Sequence, residues 1–421
     1  MLIYRLFTWL YPKLAWMLGF TNHKASLWVQ GRRGIFKKLS AAFHKNTSPV
    51  IWMHCASLGE FEQGLPVLEN LKKQYPNYCI LLTFFSPSGY DVKKNYAGAD
   101  HVFYLPMDSP AHANRFYNIV QPSLVLFVKY EFWYYYLHEA KQRNIPLILI
   151  SGIFRKDQLF FKWYGGVNRK MLSFFSYLFV QNQLSADLLQ SLGYKHQVMI
   201  SGDTRFDRVI SIADSFEPIA TIDHFCANQT TIVAGSTWTE DDEELDHFAN
   251  TNAAIKFLIA PHDIEKERLQ ECLSLYKHSM LFSSYEKALK TGTAIPADIN
   301  VLIIDNMGML SRLYRYATIC YIGGGFGDEG IHNILEAAVY SKPVIFGPVY
   351  DKYFEADGLL DYGGAFTIED ALELENLLKE FLGSPEFYAS SAQAAGQYVK
   401  DNAGATTKAM KYIQENRLLI N

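Results

Sequence analysis

Four groups of residues in this chain have the types and spacing that chemistry on a sugar or a phosphate requires. Glu60 closes the run HCASLGE at 54–60, where Ser57 and Gly59 suit a tight turn and the carboxylate stands at the start of a helical pattern. A carboxylate so placed can take a proton from a sugar hydroxyl within hydrogen-bond reach, or simply complement the helix dipole. Lys129 and Glu131 follow a very apolar run, where they either face one substrate pocket or pair with each other. Ser236 and Thr237 end another apolar run. Their hydroxyls suit a phosphate or carboxylate, and equally a plain helix N-cap. The fourth and richest group is GGGFGDEGIHNILEAAVYSKPVIFGP at 323–348. A β-type run enters a glycine cluster that includes Gly324 and Gly325, and a helical pattern near Gly330 carries His332, Asn333 and Glu336. Glycine lets backbone approach a ligand, and a helix N-terminus presents free N–H groups to a phosphate. The group predicts a nucleotide site. Two weaker signals share this position after a strand. His262 is one, although a lone histidine is more often structural; Asn306–Met307–Gly308 is the other, with backbone groups suited to a base or sugar.

These residues need elements to hold them. Apolar runs that read as buried strands fall at 50–55, 78–83, 101–105, 123–128, 146–151, 177–180 and 198–201, with helical patterns between most of them, as at 62–75 and 132–143. After a weaker stretch the alternation resumes, with runs at 231–235, 255–260, 301–304, 318–322, 344–346 and 365–368. Strand–helix alternation predicts βαβ units and parallel sheets covered on both faces. The expected fold class is therefore α/β, with two doubly wound, Rossmann-like domains facing a cleft. The expected organisation is a basic aromatic segment at 1–45, a first domain at 46–205, a linker at 206–228, a second domain at 229–384 and a C-terminal helical stretch at 385–421 crossing back to the first. Residues 284–300 read as a surface insertion. In such sheets ligands bind outside the carboxyl ends of the strands.

Composition narrows the class. The chain has 421 residues, 49% hydrophobic and 19% charged, enough for two sizeable cores. Its five cysteines are scattered without CxxC pairs or zinc spacing and read as buried thiols. No metal site is expected. The net charge of −4 hides an asymmetry, because residues 1–59 contain eight Lys and Arg and no Asp or Glu. A basic, aromatic N-terminus on an acidic body points to an anionic membrane surface and away from nucleic acid. In the opening MLIYRLFTWLYPKLAWMLGF, Arg5, Thr8 and Pro12 share one side of a helical wheel, and Pro12 is expected to kink or divide the helix. The segment reads as a helix lying in the membrane interface, anchored by Trp9 and Trp16. There is no GxxxxGK[ST], no GxGxxG after a first strand and no GxSxG, which counts against P-loop, nicotinamide and hydrolase chemistry.

Taken in order, the motifs LWVQGRRG (27–34), HCASLGE (54–60), YEFW (130–133), GDTRFD (202–207), DNMG (305–308) and GIHNILEAA (330–338) resemble one family, the 3-deoxy-D-manno-octulosonic acid (Kdo) transferases of Gram-negative bacteria. The resemblance spans nearly the whole chain. It implies a GT-B glycosyltransferase fold and an inverting reaction that needs no metal or other cofactor. The donor would be CMP-Kdo and the acceptor a lipid A precursor, at the cytoplasmic face of the inner membrane. Glu60 matches the family's general base, with Ser57, Gly59, Lys129 and Glu131 on the acceptor side. Arg205, Ser236, Thr237, His262, Met307, Gly308, Gly324, Gly325, Gly330, His332, Asn333 and Glu336 match the donor side, with Glu336 expected near the ribose and the 330–333 helix start near the phosphate. The chain departs from the pattern where Pro261–His262–Asp263 lead to Lys266 and Arg268 in place of an Arg-His pair and a further Arg, at Lys129–Tyr130–Glu131, and at Gly330–Ile331. Rival readings are a GT-B enzyme using another nucleotide sugar, an epimerase of the same fold, and a catalytically silent sugar-nucleotide binder at the membrane.

Overall fold

The structure, a computed structural model, describes residues 1–129 and 131–420. The chain forms two compact units, one of residues 1–208 with 403–421 and one of residues 209–402. The boundaries differ from the expected ones because 206–228 is not an open linker. Helices Thr204–Asp214 and Ala220–Cys226 occupy it, and Val209, Ile222, Phe225 and Cys226 are buried. Of the C-terminal stretch, helix Pro385–Asn402 belongs to the second unit and helix Ala405–Glu415 to the first.

The first unit is built on seven strands: β1 Val50–Cys55, β2 Cys79–Phe84, β3 His101–Tyr104, β4 Pro122–Val128, β5 Leu147–Gly152, β6 Tyr177–Val180 and β7 Val198–Ile200. All pairings are parallel, in the order β3-β2-β1-β4-β5-β6-β7. Strands in such a sheet are buried on both faces, so their sequences read as continuous apolar runs. Alternate residues serve different layers: Trp52, Leu81, Val125 and Phe127 enter one core, while Ile51, Met53, Ile80, Leu82 and Leu126 enter the other. The helix Ala405–Glu415 completes the second core with Ala409, Met410 and Ile413, and Asp207 receives its Gly404 and Thr406 N–H groups at 2.6 Å each.

Three helices precede the sheet: α1 Leu2–Leu18, α2 His23–Arg32 and α3 Ile35–Phe43. The LWVQGRRG motif is explained here by packing. A Cβ on Gly31 would lie 2.1 Å from the Tyr104 ring, and Arg32 donates to the carbonyls of Leu105 and Phe85 while stacking 3.9 Å from the Trp28 ring. Pro12 does not divide α1. The helix docks by its polar side: Thr8 and Ala15 are buried, Tyr4 donates to Asp108, and Arg5 donates to the Tyr135 hydroxyl. Leu2, Ile3, Leu6, Phe7, Trp9, Leu10, Leu14, Trp16 and Met17 are left facing solvent.

The second unit also has seven parallel strands: β8 Thr231–Thr237, β9 Lys256–Pro261, β10 Ser279–Leu281, β11 Val301–Ile303, β12 Ile319–Ile322, β13 Val344–Phe346 and β14 Ala365–Thr367. Their order is β10-β11-β9-β8-β12-β13-β14. β10 has no counterpart in the sequence reading. The first part of the expected surface insertion at 284–300 lies in helix Phe282–Thr291, which buries Phe282, Tyr285 and Ala288.

Candidate functional site

Each sheet reverses its winding once, between β1 and β4 in the first unit and between β8 and β12 in the second. The carboxyl ends of strands flanking such a reversal leave a crevice where ligands of this architecture bind. Glu60, Lys129 and Glu131 fall at the first, and Ser236, Thr237 and the loop after β12 at the second, whereas His262 follows β9, Met307 and Gly308 follow β11, and Arg205 follows β7.

In the first unit β1 leads into helix α4, Leu58–Gln74, with Ser57 as N-cap. The helix starts earlier than its pattern suggested. Gly59 is its second residue, not part of a turn, and Glu60 stands in its first turn, where a carboxylate is stabilised by the helix dipole. The Ser57 hydroxyl donates to Glu60 Oε2, which fixes the carboxylate's rotation. β4, beside β1, ends at Val128 and is followed by Lys129, whose backbone is left-handed with φ of 68°. Strain of this kind in a non-glycine residue persists where the surroundings enforce it, commonly at functional sites. Glu131 is half-buried, and its Oε2 lies 2.8 Å from His54 Nε2. Tyr130 lies outside the described residues. Burial pushes the Cys55 thiol well up, and Glu60, Glu131 and Glu62 add to the shift, so both candidate carboxylates project their charge onto one buried atom at the end of β1.

In the second unit β8 has a register irregularity between Gly235 and Thr237, and Ser236 has φ of 55°. Ser236 is half-buried, whereas Thr237 is fully buried. The glycine loop after β12 packs backbone against backbone. Gly324 has φ of 91°, and a Cβ there would sit 2.5 Å from the Gly330 carbonyl; one on Gly325 would sit 2.6 Å from the Gly347 nitrogen. These glycines are demanded by the packing of the loop on itself, whatever it also binds. Gly330, with φ of 85°, continues the loop. The helical pattern expected from 330 is realised only as the single turn Leu335–Ala338, so no helix N-terminus stands at 330–333. Asn333 takes that role locally. Its Oδ1 accepts from Leu335 N–H at 3.2 Å, and its amide donates to Glu336 Oε1 at 3.0 Å.

Two features of this edge were not read from the sequence. Trp238, His262 and His332 form one stack, with ring centroids 4.5 and 4.6 Å apart and planes within 25°. Burial pushes the His332 imidazole down, and His262 beside it adds to the effect. Behind the stack, Asp241 clamps the edge. Its Oδ2 accepts Trp238 N–H at 2.9 Å and Gly324 N–H at 2.8 Å, and its Oδ1 accepts the Tyr321 hydroxyl at 2.8 Å. Its pKa is still pushed up to about 6 by burial. The acidic run at 240–242 was legible, but not that its second member ties two loops together. Met307 is exposed and Gly308 has φ of 86° in the loop beyond β11. Arg268 is committed to Asp242 and Glu271, while Lys266 is exposed at the start of helix Lys266–Leu275. Arg205, grouped above with the donor residues, belongs to the first unit and pairs with Asp203 at 2.8 Å. Among the described residues no cluster of three or more His, Cys, Asp or Glu could hold a metal ion.

Two doubly wound parallel sheets define the GT-B class of glycosyltransferase folds. The structure of a UDP-GlcNAc 2-epimerase from Neisseria meningitidis superimposes with a TM-score of 0.62 at 16% identity, covering 87% of this chain and all of that one. Residues 29–208 match the model of the family described as 3-deoxy-D-manno-octulosonic-acid transferase. The chain is 29% identical to the 3-deoxy-D-manno-octulosonic acid transferase of Aquifex aeolicus, over 80% of this chain and 87% of the relative. It is 26% identical to that of Haemophilus influenzae, over 86% of each. The likeness to Kdo transferases thus covers the first unit by the family model and most of the chain by these relatives.

Proposed function

We propose that this protein transfers Kdo from CMP-Kdo to a hydroxyl of a lipid A precursor, with inversion and without a metal or other cofactor, at the cytoplasmic face of the inner membrane. The observation that carries the reading is Glu60: a half-buried carboxylate in the first turn of α4, held by Ser57, at the winding reversal of the first sheet. There it takes the proton from the acceptor hydroxyl while that oxygen bonds to the anomeric carbon of Kdo. The bond to phosphate breaks and CMP leaves with the electron pair. A phosphate is a stable leaving group, so one base suffices. The other edge suits the donor. Ser236, the imidazoles of His262 and His332, and Lys266 can meet a phosphate and a carboxylate, and Glu336 can accept from ribose hydroxyls.

Two features of the first unit favour an anionic lipid acceptor. The solvent face of α1 is almost wholly apolar, more than a lone soluble domain ordinarily exposes. No helix among the described residues is long and apolar enough to cross a membrane, so α1 lies along the surface in this reading. Beside it runs a groove of about 610 Å³ lined by apolar Trp16, Trp28 and Met107 and by basic Arg33, Lys37 and Arg115, a lining suited to acyl chains carrying phosphates.

The test is transfer from CMP-Kdo to a lipid A precursor, with products resolved by mass. Kdo-bearing lipid from wild type and near-complete loss with Glu60→Ala supports both reaction and base. No product from folded wild type overturns the reading and leads to other nucleotide sugars, with UDP release marking the epimerase-like alternative. Product from both places the base elsewhere, with Glu131 the next candidate.

A further inference from the structure

The HCASLGE motif contains a histidine that the proposed reaction does not use. We infer that His54 is a positioning residue, which aims the Glu131 carboxylate through a hydrogen-bond relay from Trp52 and Thr83. The inference rests on Glu131 acting on the acceptor side.

The His54 side chain is fully buried near the end of β1, with aromatic neighbours at Phe127 and Trp52, ring centroids 5.0 and 6.4 Å away. An imidazole in such surroundings is costly unless both nitrogens are bonded. Both are. Nδ1 lies 2.9 Å from Thr83 Oγ1, and Nε2 lies 2.8 Å from Glu131 Oε2. Thr83 stands on β2 in register with His54, so the sheet itself sets the first contact.

The direction of the relay follows from the donors. The Trp52 indole N–H can only donate, and it does so to Thr83 Oγ1 at 2.8 Å. The Thr83 hydroxyl keeps one proton to give. Its two acceptors are the Met53 carbonyl at 3.5 Å and His54 Nδ1 at 2.9 Å, and the shorter contact takes it. His54 Nδ1 is then an acceptor, its ring proton sits on Nε2, and that N–H donates to Glu131. A histidine tautomer is fixed in this way by the partner of its other nitrogen.

Glu131 needs the help. Residues 131–133 have no regular secondary structure, and the next helix begins at Tyr134. Glu60, by contrast, is fixed by α4 and Ser57. Held by His54 through Oε2, Glu131 keeps Oε1 for a hydroxyl of the acceptor, and a carboxylate misplaced by an ångström loses much of its effect.

Two measurements test this. In full-length protein labelled with ¹⁵N-histidine, the His54 resonance, identified by its loss in His54→Gln, should show the Nε2–H tautomer with a hydrogen-bonded Nδ1. An Nδ1–H tautomer or an imidazolium at neutral pH overturns the relay. In transfer kinetics, Thr83→Val keeps the shape and removes the hydroxyl. It should raise the acceptor KM or lower kcat by about tenfold with the CMP-Kdo KM unchanged, and Thr83→Ser should restore both. In a Glu131→Gln background Thr83→Val should add no further loss, because both changes act on one carboxylate. Losses that multiply, or that fall equally on both substrates, make Thr83 and His54 merely structural and overturn the inference. Unchanged transfer by Glu131→Gln is a separate failure, of the acceptor-side reading of Glu131, and the tautomer still decides whether the relay exists.

Discussion

The two sheet edges are alike in topology and opposite in chemistry. Each lies at a winding reversal, and each has a strained non-glycine residue near the end of a strand flanking that reversal, Lys129 just after β4 and Ser236 within β8. The first edge presents carboxylates supported by side chains, Glu60 by Ser57 and Glu131 by His54. The second presents hydroxyl and imidazole groups. Two of its acids are turned inward, Asp241 onto two loop N–H groups and Asp242 onto Arg268 and Tyr276. The proposed reaction assigns the proton to one unit and the anion to the other, on the same scaffold. The fold supplies the place, and local residues decide the charge.

The sharpest way to break this contrast is Glu60→Gln. It should lower kcat by roughly 10²–10⁴-fold and leave the calorimetric Kd for CMP-Kdo within about twofold of wild type, because a general base acts in the transition state and not on the bound donor. A parallel loss of donor binding would show that the two edges do not divide the work. Next in size, Leu6→Glu should weaken binding to anionic vesicles by about ten- to a hundredfold, since it removes an apolar side chain worth about 1.5–3 kcal/mol on burial, and should leave the melting temperature unchanged because Leu6 faces solvent. A drop in melting temperature would mean that this face of α1 packs on protein. For the second edge, Asp241→Asn should raise the CMP-Kdo Kd about tenfold, because an amide replaces a charged acceptor of two loop N–H groups at about 1–2 kcal/mol. The acceptor KM should not move. An unchanged donor Kd would remove Asp241 from the clamp.

A further effect is shared by both units. Asp108, which receives the Tyr135 and Tyr136 N–H groups at 3.0 and 3.3 Å, is pushed up to about 6 by burial, and so is Asp241. Their ordinary value is 3.8. Between those values the folded protein keeps protons that the unfolded chain has released. The stability they contribute is complete below about pH 4 and is lost as pH rises through about 6, up to about 3 kcal/mol for each group. Chemical denaturation from pH 4 to 7 should show this decline, and Asp108→Asn should flatten part of it. A rise in stability over that range would contradict the assignment.

Much of this was legible in the sequence, and the failures have causes. Long buried strands such as β1 and β4 are unbroken apolar runs, and turns after them mark the site. β10 is three half-buried residues at a sheet edge, too short to make a pattern. The glycine cluster reads in sequence as a loop open to a ligand, whereas its close contacts are those of Gly324 with Gly330 and of Gly325 with Gly347, 6 and 22 residues on. Asp108, Asp241 and His54 were not assigned roles because each acts through partners 27 to 104 residues away, or across paired strands. Spacing along a chain reports neighbours on one element, not residues brought together by a sheet.

The helix Ala405–Glu415 has a consequence for how the chain is made. The first unit's second core stays open, lacking Ala409, Met410 and Ile413, until the ribosome has delivered the entire second unit. Residues 209–402, in contrast, are contiguous and can condense as soon as they emerge. Synthesis therefore favours an order in which the later unit matures first and the earlier one waits for its last helix. During that wait the apolar face of α4 is exposed to aggregation, so Ile413→Ala should depress the yield of soluble protein more than its equilibrium cost of about 2–5 kcal/mol alone would suggest.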